Sequence, residues 1–156
     1  MLRISLGVIF LAGAMTLSAN DKPDLTGKWV PSAPSNNELA KIEIEQNQDQ
    51  IKVRELSGDS KLAKEFQCAP TGKECDSKGS ENAKVTLWYN GPTLVEMYQA
   101  RDGKSVVKTR RKLSEDGSTL TVEVLRIVPA GSKPETYVFR RADTPTVAEA
   151  SKPPAP

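Results

Sequence analysis

The sequence predicts an all-β domain, an antiparallel up-and-down meander of about eight to nine strands that closes into a barrel. Three observations carry the prediction. Asn90-Gly91, Asp102-Gly103 and Asp116-Gly117 cut the stretch from Lys84 to Val128 into four short runs. Such dipeptides between strand-like runs are the strongest short-range hairpin signal, because a type I′ turn needs positive φ at both central residues. Elsewhere apolar and polar residues alternate with period two, and few stretches show the apolar spacing of a helix.

At 156 residues the chain can bury one real core, and nothing in it marks a second domain. The net charge of +2 is spread over both signs, which argues against a nucleic-acid-binding class. The chain has no histidine. Histidine triads, histidine general bases and histidine metal sites are therefore excluded, and no catalytic, cofactor or metal set is expected. Arg3 followed by the apolar run Ile4 to Leu17, with Ala19 as a small residue for cleavage, reads as a signal peptide over residues 1–19. The segment is short for a spanning helix, so no stable membrane insertion is expected once it is cleaved. The expected location is periplasmic or extracellular.

The barrel domain is expected over residues 24–141. Asp24 to Val30 is a first strand, and Pro31 to Asn37, with its two prolines, is a loop. Leu39 to Leu56 is a hairpin: Ile42 and Ile44 alternate with Glu43 and Glu45, then Ile51 and Val53 with Lys52 and Arg54. Lys61 to Phe66 is a weaker strand leading to the two cysteines. With Thr71-Gly72 as the turn centre, Cys68 stands opposite Cys75. Directly opposed Cα atoms lie within disulfide range, and an exported chain favours the oxidised pair.

Two-residue turns in the central meander set its register. Leu113 then faces Leu120, Arg111 faces Val122, Thr109 faces Val124, Tyr98 and Arg126 both face Val107, and Glu96 faces Thr109. In the first hairpin Leu87 faces Leu94 and Val85 faces Glu96. Because alternate residues share a face, Val85, Leu87, Tyr98, Leu120, Val122 and Val124 fall inside, together with Glu96, Thr109, Arg111 and Arg126. Trp88, Val95, Met97, Leu125 and Ile127 fall outside, where intramolecular cover is expected. Thr136 to Arg141 is the last strand. Residues 142–156, rich in proline and alanine, are expected to form a disordered tail.

Gly27-Lys28-Trp29 ahead of a β meander resembles the G-x-W signature of the calycins, which comprise lipocalins, avidins and fatty-acid-binding proteins. The longer string Leu25 to Trp29 is similar to the opening of avidin-type proteins. The whole looks closest to small exported bacterial lipocalin-like proteins. The resemblance implies a lipocalin-like β-barrel whose Trp29 closes one end beneath a late basic residue, Arg140 or Arg141, with Arg140 taken for that part beside Gly27 and Trp29. The chain departs from avidins in having only Trp29 and Trp88, and from lipocalins in lacking a carboxy-terminal helix.

The function expected from these readings is non-enzymatic binding of a small amphipathic or anionic ligand inside the barrel. Glu96, Tyr98, Thr109, Arg111 and Arg126 are the candidate ligand-binding residues, with Arg111 and Arg126 positioned to anchor a carboxylate. Buried charge must be paired, which makes a Glu96–Arg111 ion pair the competing explanation for those two. The alternative function is a protein-interaction module without internal ligand, such as a barrel-shaped enzyme inhibitor, using its loops and the tip Pro70-Thr71-Gly72-Lys73.

Overall fold

In the computed structural model, which describes residues 22–33, 39–79 and 82–142, the alternating runs become ten antiparallel strands. They are β1 (Gly27–Pro31), β2 (Leu39–Gln46), β3 (Ile51–Ser57), β4 (Leu62–Cys68) and β5 (Thr71–Gly79), followed by β6 (Ala83–Asn90), β7 (Thr93–Ala100), β8 (Val106–Leu113), β9 (Thr119–Val128) and β10 (Glu135–Arg141). Each strand pairs with its neighbours in sequence, and β10 returns to β1, so the sheet closes into a barrel. The proposed targeting segment and the tail beyond residue 142 lie outside the described residues.

The strand beyond the expected count is β5. Thr71 to Gly79 has almost no apolar side chains to alternate, and its residues are largely exposed. Tertiary ties hold it instead. The Cys68–Cys75 disulfide joins it to β4 with the Cα atoms 5.8 Å apart, as the turn spacing predicted. Ser77 Oγ also donates to the Glu65 carbonyl at 3.2 Å.

Every predicted pairing across the second and third turns of the meander is found, although both loops are longer than two residues. The backbone N–H of Ala100 donates to the Ser105 carbonyl, and that of Ser114 to the Thr119 carbonyl, so four residues form each loop. Each four-residue loop is centred on its Asp-Gly pair, and the register is therefore the same. The first hairpin differs: Leu87 faces Glu96 and Val85 faces Tyr98. Its turn is centred on Gly91-Pro92, with Gly91 at φ 57° and Asn90 opposite Thr93. Proline has no N–H to close a two-residue loop from the strand side, but as the second central residue it needs none. The shift is by two residues, so each side chain keeps its face.

The core occupies the half of the barrel around Trp29. Trp29, Ile42, Val53, Leu87, Leu94, Leu120, Val122 and Phe139 are all buried there. Fully burying each side chain of this size contributes about 1.5–3 kcal/mol, opposed by chain entropy.

Candidate functional site

The barrel has two different ends. At one, residues 22–26 fold over the opening: Leu25 N–H and Tyr89 O–H both donate to Gln46 Oε1, and Gln46 Nε2 donates to the Pro23 carbonyl. Trp29 is completely buried beneath this segment, and its Nε1–H donates to the Leu25 carbonyl at 3.1 Å. Arg141 lies over the indole, 4.5 Å from the ring centroid. It also donates to the Thr26 carbonyl at 2.6 Å and the Gly117 carbonyl at 2.9 Å. The expectation for Arg140 is thus corrected. Arg141 is the residue opposite Trp29, whereas Arg140 stands opposite Val30 on the other face. Gly27 fits the same construction: its φ is 151°, and a Cβ there would lie 2.6 Å from an Arg141 guanidinium nitrogen.

Toward the other end, four charged side chains close a ring inside the barrel. Glu96 and Arg111 are fully buried and paired at 2.6 Å. Lys64 Nζ lies 2.6 Å from Glu96 and 3.1 Å from Glu55, and Glu55 closes the ring through a hydrogen-bonded pair with Arg111. Signs alternate around it: Glu55, Lys64, Glu96, Arg111. Register explains both halves. Glu55 faces Lys64 across β3 and β4, while Arg111 is the diagonal neighbour of Glu96 across β7 and β8. The two halves come from separate walls, with β5 and β6 between them on one side and β9, β10, β1 and β2 on the other. The ring is therefore an ionic strap across the lumen.

Burial alone would raise the Glu96 carboxyl, but the charges of Lys64 and Arg111 and their hydrogen bonds outweigh it and hold it at about 2. Burial likewise opposes charge on Lys64, yet Glu55 and Glu96 leave its ammonium raised above the ordinary lysine value. The ammonium also lies 5.5 Å from the Tyr98 ring centroid and 5.8 Å from that of Phe66. Arg111 Nε is buried and has no hydrogen-bond partner among the described residues.

Of the candidate residues, Glu96, Thr109, Arg111 and Tyr98 are brought together. Thr109 is buried opposite Glu96, and Tyr98 borders Lys64 on the far side of the strap. Arg126 does not join them. It faces Val107 as expected but is exposed, because β9 runs past the end of β10 there and carries it to the rim. Glu55 and Lys64 are the members that sequence reasoning missed. The signal was present as two charges breaking the alternation on β3 and β4, but only closure of the sheet sets them opposite Glu96 and Arg111. Beyond the strap, Leu39, Tyr98, Val124 and Tyr137 are partly buried against the core. A cleft of about 260 Å³, lined by Pro31, Ala33, Leu39, Tyr137 and Phe139 among others, opens at this end between β1, β2 and β10.

No protein-family model matches the sequence, and neither does any curated protein. Solved structures do match in fold. A point mutant of the REP1-NXSQ fatty acid transporter superposes with a TM-score of 0.59 at 15% identity, covering 76% of this chain and 98% of that one. A point mutant of the fluorescent protein UnaG gives a TM-score of 0.57 at 19% identity, covering 76% of this chain and 96% of that one. The chain has the calycin-type fold, a closed antiparallel barrel shared with these proteins.

Proposed function

We propose that this is an exported, non-enzymatic binding protein that holds one small amphipathic molecule at the far end of its barrel. The apolar part of the molecule packs on Leu39, Tyr98, Val124 and Tyr137, and its polar part meets the ionic strap. The strap is the observation that carries this reading. A buried ion ring is a poor source of stability, since apolar side chains of equal volume are often as good or better. A barrel of this size either fills with side chains or holds one small ligand, and ligand sites pair apolar walls with a few convergent polar groups. The fold's likeness to a fatty acid transporter supports a small amphipathic ligand. Export is supported by the apolar amino-terminal run and by the disulfide, which persists in oxidising compartments.

The test is titration with the neutral probe N-phenyl-1-naphthylamine, whose fluorescence rises in an apolar site. Saturable binding that Tyr98→Ala weakens is expected. Absence of any enhancement would refute the reading.

A second reading rests on the outer wall. Lys108, Arg110 and Lys112 line β8, with Trp88, Met97 and Leu125 half-buried on the neighbouring strands and Glu123 as the facing carboxylate. An acidic protein surface fits this wall by charge. Lys108→Glu together with Lys112→Glu would abolish such an interaction while leaving probe binding intact.

A further inference from the structure

The ligand's polar group has a chemistry that the strap dictates. Its charges cancel: two carboxylates, Glu55 and Glu96, face two cations, Lys64 and Arg111, and each cation contacts both carboxylates. The groups bordering it change nothing in this balance, since Thr109, Tyr98 and Phe66 are uncharged. At the rim Arg126 is exposed on β9 and Lys133 on the connection after it, while Glu135 on β10 accepts a hydrogen bond from Tyr137 O–H. An incoming carboxylate would add a negative charge to a neutral, desolvated centre, or would have to expel Glu55 from both its partners. One donor is nevertheless within reach. The Lys64 ammonium has three N–H and meets two carboxylates, and its side chain is 15% accessible, whereas Arg111 has no exposed surface for a ligand to touch. A partly buried donor with a proton to spare favours an uncharged acceptor.

We infer that the barrel selects an uncharged amphipath, a long-chain alcohol, amide or ester, whose oxygen adds to the strap as a hydrogen-bond acceptor, and that it discriminates against the carboxylate of the same chain. This rests on the ligand-binding reading above and names its ligand class. Glu55 is the discriminating residue. It is the more exposed of the two carboxylates, its side chain 13% accessible against none for Glu96, and it occupies the position that a ligand carboxylate would need beside Lys64 and Arg111. Replacing Glu55 by glutamine leaves the strap with one unmatched positive charge and turns the same site into an anion receptor.

The experiment is displacement of N-phenyl-1-naphthylamine from the protein by hexadecanol and by palmitate, near neutral pH and below the concentrations at which either aggregates. Hexadecanol is expected to displace the probe at a concentration about tenfold lower or better than palmitate, as an uncompensated charge on a desolvated site demands. In Glu55→Gln the order should reverse. In Glu55→Gln combined with Lys64→Gln, which restores neutrality, it should revert. Equal or tighter binding of palmitate by the unaltered protein would overturn the inference while leaving the ligand-binding reading standing. If the probe itself does not bind, both fall. The comparison on the unaltered protein decides the matter even if the variants fail to fold.

Discussion

Glu96 shows how much depends on single side chains in this molecule. It is fully buried between Lys64 and Arg111, and those cations alone make its charge tolerable. Glu96→Gln would leave the strap with excess buried positive charge, and a loss of about 3–5 kcal/mol in a urea titration is expected. Simultaneous replacement of Glu55, Lys64, Glu96 and Arg111 by apolar residues of similar volume should cost far less than the single change, because no charge is then stranded. The pH dependence follows from the depressed carboxyl. Glu96 titrates lower in the folded chain, at about 2, than its ordinary 4.5, so its contribution is complete above 4.5 and is lost as pH falls toward 2. A stability profile in which Glu96→Gln flattens that acid limb is expected. An acid limb unchanged in the variant would place the loss elsewhere.

At the scale of elements, β5 is the strand least able to hold itself. It brings only Cys75 and Ser77 to the partly or fully buried side, and its described pairing with β4 spans Lys64 to Phe66. The disulfide therefore matters more to this hairpin than to the barrel at large. Closing so short a loop contributes about 2–3 kcal/mol in the chain-entropy model. Replacing both cysteines by serine should lower stability by that amount, with amide hydrogen exchange accelerated first in β5. Labelling of the unreduced protein with a thiol reagent should find no reactive cysteine. Gly79, at the end of the same strand, is constrained differently. At φ 143°, a Cβ there would lie 2.4 Å from the Ala63 carbonyl oxygen. Gly79→Ala should therefore destabilise the β4–β5 pairing, since the neighbour is backbone and cannot swing aside.

The whole molecule separates into a sealed end and the far end where the ligand is proposed to sit, and this separation can be measured. Arg141 stacks on Trp29 and ties Thr26 to Gly117, so it holds the amino-terminal segment across one opening. Arg141→Ala should cost about 1–3 kcal/mol through the lost stacking and hydrogen bonds. Its effect on probe affinity should be small, because the strap stands between the seal and the far end. Tyr98→Ala should do the reverse, weakening probe binding more than stability. A variant at Arg141 that abolished binding with stability retained would show that the ligand sits on the sealed side.

Local order was legible in the sequence because hairpins are local. Asp102-Gly103 and Asp116-Gly117 required their turns, alternation assigned faces, and the Glu96–Arg111 diagonal followed from register alone. Even where Pro92 moved the first turn, the displacement of two residues preserved the faces. Cys68 and Cys75 were likewise within reach of a spacing argument. What only the tertiary structure decided depends on closure of the sheet. Arg141 rather than Arg140 meets Trp29 because β10 pairs with β1, two strands from opposite ends of the barrel domain. Thr71 to Gly79 is a strand because its neighbours on both sides offer a ladder, although its own side chains carry no alternation. Glu55 and Lys64 interrupt the apolar alternation of β3 and β4, and nothing local says what they face. They belong to the lumen because closing the barrel sets their wall against the one that carries Glu96 and Arg111, and a buried charge persists only where an opposite charge can reach it.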